Sequence, residues 1–438
     1  MQNDLYRLDN SAIMYQLILT SDTQSLFRVG VQLNITVDPD TLKKAVELAL
    51  IRYPFFKTRV RYGLFRPYLN ENNDSIIVEQ DDGLLLKPIN FKHNNRFPFR
   101  TTYYDNKIFI DVFHALTDAN GAMEFLKTVV YAYSTLIDRT ISKNNIRTPD
   151  SPIDMNEYED AFEKYYTKIN IAEGIKSMLG NGKAYCIDGR RLQYPGYGLI
   201  QGTVNTKKLL EKAHEYNCSL TVFLAALAIH SIVKSNASWE PNKKLIVFIP
   251  IDLRKAFPSK TLKNFICFAM CVIPKKMAFT LENIIAEIKP SLQKQLDKAE
   301  LQKKITFTSL MSRLGPFKFM PMFLKSFVSK IGKNISRHTT QTLIVSNVGQ
   351  IKLDPNGLVD RFLFNLNVSS KTPDNMAIVS YGDNTVISFT RKIVNTDIER
   401  DFFRALADMG LFVKISSNYR EDCDALWEMW LWNRRQNK

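Results

Sequence analysis

Cysteine is scarce here and never paired in spacing: Cys186, Cys218, Cys267, Cys271 and Cys423 are odd in number, scattered, and without any C-x-x-C. That argues against a disulfide framework and against a zinc or dithiol site, and reduced thiols in a cytosolic protein fit best. Long apolar runs are also missing. The most apolar window, residues 219–233 (SLTVFLAALAIHSIV), is too short to cross a bilayer and contains a histidine, so it reads as a buried helix. The first residues carry acids and lack a basic region followed by an apolar core, so no secretory signal is expected and the protein should stay in the cytoplasm. Absent too are the G-x-x-x-x-G-K-[ST] loop, the dinucleotide-binding glycine pattern, H-E-x-x-H and the G-x-S-x-G elbow. ATP hydrolysis, hydride transfer, zinc proteolysis and serine esterase chemistry all lose ground with them.

What is present is an ordinary globular composition, 45% hydrophobic and 24% charged, over 438 residues. That length suits two domains. The net charge of +15 is uneven: residues 1–180 carry −2 and residues 181–438 carry +17. A cation surplus confined to one half suits an anionic ligand there, and suits equally a solvated basic face. Its densest stretch, residues 303–337, holds Lys303, Lys304, Arg313, Lys318, Lys325, Lys330, Lys333 and Arg337 with no acid, interleaved with Phe and Met. Such interleaving fits a membrane surface or the phosphates of a cofactor.

Hydrophobic spacing predicts a helix over residues 41–52 capped by Asp40, a strand pair turning near Gly63, and a strand over 107–113 leading into a long helix. Residues 139–200 are polar and weakly patterned, which places the crossover between domains there. The second half alternates helices (206–216, 219–233) with strands (KLIVFIPIDLR, NFICFAMCVIP, QTLIVSNVG) and closes with a hairpin around Gly382 and Asp383. The expectation is a mixed α/β (α+β) chain of two similar sandwich domains, residues 1–180 and 201–438.

The strand ending at Phe113 delivers His114, and Asp118 follows four residues later, where the next helix begins. Alone, HxxxD is equally a satisfied turn histidine followed by a helix cap. The other histidines have no partner at meaningful spacing: His230 falls inside an apolar helix, His214 on an exposed helix face, His93 and His338 in basic loops.

The stretches FHALTDANGAMEFLKTVVYAY, IPIDLRKAFPSKTLKNF and IVSNVG, in that order, resemble the CoA-dependent acyltransferase superfamily. It includes chloramphenicol acetyltransferase, polyketide-associated acyltransferases and peptide-synthetase condensation domains. The nearest likeness is to the alcohol acetyltransferase-like proteins of low-GC bacteria, and it runs from YRLDN to VISFTRK. It implies two sandwich domains of the chloramphenicol acetyltransferase type, with the site in a channel between them open to donor and acceptor at opposite faces. His114 matches the catalytic general base and Asp118 the motif's aspartate; Phe113 stands where the family has another histidine, and Ala119 where it has glycine, with Gly121 nearby to compensate. Arg254 matches the cation that braces the aspartate from the other half. Asn264, Ser346 and Asn347 match positions that would contact substrate or the oxyanion.

The resemblance implies O-acyl transfer from acyl-CoA as co-substrate, or from an acyl carrier protein, to an alcohol or amine acceptor. It implies no metal, no bound prosthetic group and no nucleic acid, with peripheral membrane contact through the basic 303–337 segment as a further expectation. A histidine base suits such chemistry because a thioester is already activated and needs no Ser or Cys nucleophile. Two rivals accompany this reading: a condensation-type enzyme joining carrier-bound substrates, and a non-catalytic lipid- or polyanion-binding protein on the same fold.

Overall fold

The computed structural model describes residues 25–168, 183–192, 197–235, 243–313, 340–354 and 357–418, together with positions 7–9, 11, 12, 15, 320, 321 and 324. In the first half the strands are β1 (Leu26–Leu33), β2 (Thr58–Tyr62), β3 (Pro67–Glu71), β4 (Val78–Gln80), β5 (Phe99–Tyr104) and β6 (Lys107–Phe113). The second half adds β7 (Gly198–Asn205), β8 (Leu245–Asp252), β9 (Ile266–Ile273), β10 (Leu343–Gln350), β11 (Val359–Leu366), β12 (Asp374–Tyr381), β13 (Asn384–Arg391) and β14 (Val413–Ser417). The helices are α1 (Pro39–Arg52), α2 (Ala119–Leu136), α3 (Thr206–Glu215), α4 (Leu220–Ser235), α5 (Leu281–Gln295), α6 (Lys298–Arg313) and α7 (Asp397–Asp408). Shorter turns of helix lie at Met155–Tyr158, Ala161–Lys164 and Leu253–Lys255.

Local chemistry explains these elements. α1 begins earlier than the spacing predicts, because Asp38, not Asp40, accepts from the Thr41 amide at 2.8 Å and Pro39 takes the first helical position, where no N–H is needed. Leu42, Ala45, Val46, Ala49 and Leu50 then form its buried stripe. α4, apolar all round, is enclosed on nearly every side, and His230 is satisfied by the Phe279 carbonyl at 2.9 Å. Cys267 and Cys271 share the buried face of β9 with Ala269 and Ile273, as period-two alternation predicts.

The strands form a five-stranded sheet in the order β11-β1-β6-β5-β4, a seven-stranded sheet in the order β14-β7-β13-β12-β10-β8-β9, and the β2-β3 hairpin. Each large sheet has its own apolar core. Both are mixed: β4 runs parallel to β5 in the first, and in the second β10 runs parallel to β8 and β12 while β8 and β9 pair antiparallel. A mixed α/β architecture of two packed sheets is therefore what the chain adopts. A cut at residues 180–201 does not describe it fully, because β11 leaves the second half and pairs with β1, Val29 facing Phe364. β6 is held in the first sheet by charge as well as by apolar burial. Its Asp111 faces Arg28 on β1 and Arg100 on β5, and Arg28 also reaches Asp81 at 2.9 Å. Ions this deeply buried are tolerated when each meets its counter-ion across the strands.

Candidate functional site

His114 follows the last residue of β6, and its backbone amide donates to the Ser25 carbonyl at 2.9 Å. The Tyr15 ring stacks on the imidazole at 4.0 Å between centroids, and Phe27 meets it edge-on at 4.9 Å. Its Nδ1 lies 2.9 Å from Asn264 Oδ1. The orientation of that amide is set elsewhere: Asn264 Nδ2 donates to the His114 carbonyl at 2.9 Å and to Asp9 Oδ2 at 3.2 Å. Only an oxygen is left to face the ring, so Nδ1 carries the hydrogen and Nε2 keeps its lone pair. Burial holds the imidazole below its ordinary pKa, with Asp118 and the Asn264 bond pulling it part of the way back. A neutral ring with a free Nε2 is the form a general base needs.

Asp118 caps α2, accepting from the Gly121 amide at 3.1 Å. Its other oxygen accepts from the Phe265 amide at 3.0 Å and meets Arg254 Nη1 at 2.9 Å. Arg254 directs its remaining donors to Asp252 (3.0 Å), the Thr261 carbonyl (2.9 Å) and the Lys263 carbonyl (2.6 Å). The carboxylate is 1% exposed, so a cation partner is needed to offset the loss of its hydration. The Arg254–Asp118 pair expected across the two halves is present. Gly121 stands where a β-carbon would fall 2.1 Å from Thr117 Oγ1 and 2.3 Å from the Leu262 carbonyl, so only glycine lets the 253–265 loop close on α2.

The three residues expected to contact substrate part ways. Asn264 does not line the cavity; its amide is committed to His114 and Asp9, and its place is behind the histidine. Asn347 lines the cavity beside Ser346, with its amide donating to Thr221 Oγ1 at 3.1 Å and accepting from the Gly349 amide at 2.8 Å. It thereby braces the bulge in β10 between Asn347 and Gln350, where Gly349 sits at φ +80°. Ser346 faces the cavity, and its hydroxyl has no protein partner among the described residues. Asp9 and Tyr15 were not singled out by sequence reasoning. Asp9 falls within YRLDN, but its bond to a residue 255 positions away leaves no local pattern.

Two cavities adjoin at Asn120 and Val348. One, about 390 Å³, is lined by His114 and Ser346 and by apolar side chains of both sheets. The other, about 650 Å³, is lined by Lys127, Arg147, Arg254, Lys260 and Lys352, with Glu124 the one acidic residue. The basic 303–337 segment is described only in part. Lys304 donates to the Phe268 carbonyl at 2.8 Å and Lys303 pairs with Glu300 at 2.7 Å, so these two are committed within the protein and do not form a free basic face. Lys318, Lys325, Lys330, Lys333 and Arg337 lie outside the described residues, as do His338 and Cys423. Among the described residues no three His, Cys, Asp or Glu converge as metal ligands, and no single helix is long and apolar enough to cross a membrane.

No protein-family model and no curated protein sequence matches this chain. Solved structures are similar to it in fold. Polyketide synthase associated protein 5 from Mycobacterium tuberculosis superposes with a TM-score of 0.60 at 15% identity, over 92% of this chain and 97% of that one. The TRI3 trichothecene 15-O-acetyltransferase from Fusarium sporotrichioides gives 0.57 at 13%, over 92% and 93%. The starter condensation domain of rhizomide synthetase RzmA, solved with C8-CoA, gives 0.57 at 11%, over 91% and 93%. These superpositions show that the chain shares the fold of an acetyltransferase, a condensation domain and a polyketide synthase associated protein.

Proposed function

We propose that the protein transfers an acyl group from a CoA thioester to a hydroxyl or amine acceptor, with His114 as general base. The observation that carries this reading is the amide of Asn264, which fixes the Nδ1–H tautomer and leaves the Nε2 lone pair of a cavity-lining histidine. In the proposed reaction Nε2 takes the acceptor's proton as its oxygen or nitrogen attacks the thioester carbonyl. The tetrahedral oxyanion receives a hydrogen bond from the Ser346 hydroxyl. Its collapse breaks the C–S bond, and the imidazolium returns the proton to the departing thiolate. No covalent bond to the protein forms. Asp118 and Arg254 act on this chemistry by holding the turn that carries His114. In the larger cavity Lys127, Arg147, Arg254 and Lys260 already pair with carboxylates, so Lys352, without an ion pair among the described residues, is the cation offered to a phosphate of CoA, and the adjoining cavity suits the acyl and acceptor groups.

Free-thiol release, measured across a matrix of acyl-CoA donors and alcohol or amine acceptors, tests the reading. Acceptor-dependent release is expected with at least one pair. Release that no acceptor stimulates, from acyl-CoA donors of every chain length, would overturn it.

A further inference from the structure

We infer that the 390 Å³ cavity holds a linear hydrocarbon chain of about ten carbons, carried by the acyl group of the donor or by the acceptor; this rests on the acyl-transfer reading and names the substrate class it serves.

The inference comes from the register of three neighbouring strands. β9, β8 and β10 lie side by side, with Pro250 opposite Phe268 and Ile344 beside Phe248. Side chains two apart on a strand share a face, so Asp252, Pro250 and Phe248 on β8 point the same way, and all three line the cavity. Ile266 and Phe268 extend that face on β9, and Ile344 on β10, with Ser346 on the same face of β10 level with Pro250. The ladder has a defined catalytic end. Ile266 pairs with Asp252 and directly follows Asn264 and Phe265, which bond to His114 and Asp118. From that end to Phe248 is four residues, about 13 Å at the usual strand rise. Phe27 and Phe364, from the other sheet, form the facing wall.

Beyond Phe248 and Ile344 the lining changes to Gln341 and Thr372, while Asn375 on β12 sits level with Ile344 and accepts from its amide at 2.9 Å. A chain advancing ~1.3 Å per carbon, from bonds of ~1.5 Å, covers the apolar stretch with about ten carbons. Further methylenes would meet amides and hydroxyls and gain nothing. An acetyl group would leave most of this apolar wall unused.

The experiment is equilibrium binding to the wild-type protein of two series, saturated acyl-CoAs and primary alcohols, each from two to fourteen carbons. In one series affinity should rise by up to about fourfold per methylene and level off near ten carbons. The series that rises identifies the substrate bearing the chain. Phe248→Trp fills the far level of the trough and should bring the plateau down to about five carbons; Ile344→Trp serves if the first variant does not fold. Affinity independent of chain length in both series, or a plateau unmoved by both substitutions, would overturn the inference. Binding separates this from the parent reading. Chain-dependent binding without turnover would remove acyl transfer and keep the trough, whereas turnover with chain-independent binding would remove the trough alone.

Discussion

Asn264 decides which nitrogen of His114 carries the proton, and a group with that task is a positioning residue whose removal has a signature. Asn264→Leu should lower kcat by about ten- to hundredfold with little change in KM, the usual size of effect for losing a group that orients a reacting side chain. Because the Asn264 bond helps hold the His114 pKa up against burial, the same variant should move the pH inflection of kcat/KM to lower pH. A loss of rate with the inflection unmoved would make Asn264 a packing residue. Stability follows the same sign. His114 takes up its proton less readily when folded, so the native state keeps its full advantage above the unfolded value of about 6.5 and loses part of it as pH falls from there through the folded pKa. Asp160 needs separate control, since burial, reinforced by Asp9, pushes its carboxyl up to about 7 behind this network. Repeating the titration in Asp160→Asn should leave the His114 inflection in place. His114 and Asp118 were legible because they lie four apart at a strand-to-helix junction; Asp9 and Tyr15 were not, because a stacking ring and a second hydrogen bond from far along the chain follow no period.

The start of α2 and the loop after β8 meet at the Asp118–Arg254 ion pair, and their coupling is measurable. Asp118→Asn and Arg254→Gln should each lower Tm as well as activity, by about 3–5 kcal/mol in stability where a buried charge is left without its partner. The double variant should lose less than the sum of the two singles. Additive losses in thermal or denaturant unfolding would mean the pair does not brace the turn. This junction was legible in part. Arg254 was assigned through likeness to a family motif, whereas the need for glycine at 121 becomes evident only when the Leu262 carbonyl is seen crowding it. The cap of α1 shows the opposite case. Asp38 and Asp40 are both good capping residues, and the choice rests on Pro39, which prefers the first helical position over a place before the cap.

At the scale of the whole molecule, two sheets with separate cores were readable from periodicity, but the exchange of β11 between them was not, because a strand's pattern records how much of it is buried and not which sheet buries it. The C-terminal core also carries a pH dependence of its own. Burial pushes Glu399 up to about 7 against the pull of Arg391, and raises Asp374 beside it. A carboxyl that binds its proton more tightly when folded costs stability as pH rises from its unfolded value of about 4.3 towards 7. Glu399→Gln should flatten the decline in Tm across that window, and an unchanged decline would assign it to other groups. The two adjoining cavities, one cationic and one apolar, join these cores into a single proposed machine whose centre is the His114 imidazole. The most direct measurement is therefore acceptor-dependent thiol release as a function of pH for the wild type and for His114→Ala. The account predicts a wild-type kcat/KM that rises with pH through an inflection below about 6.5, and a folded variant slower by about two to four orders of magnitude. A variant that folds and keeps most of the wild-type rate would contradict it.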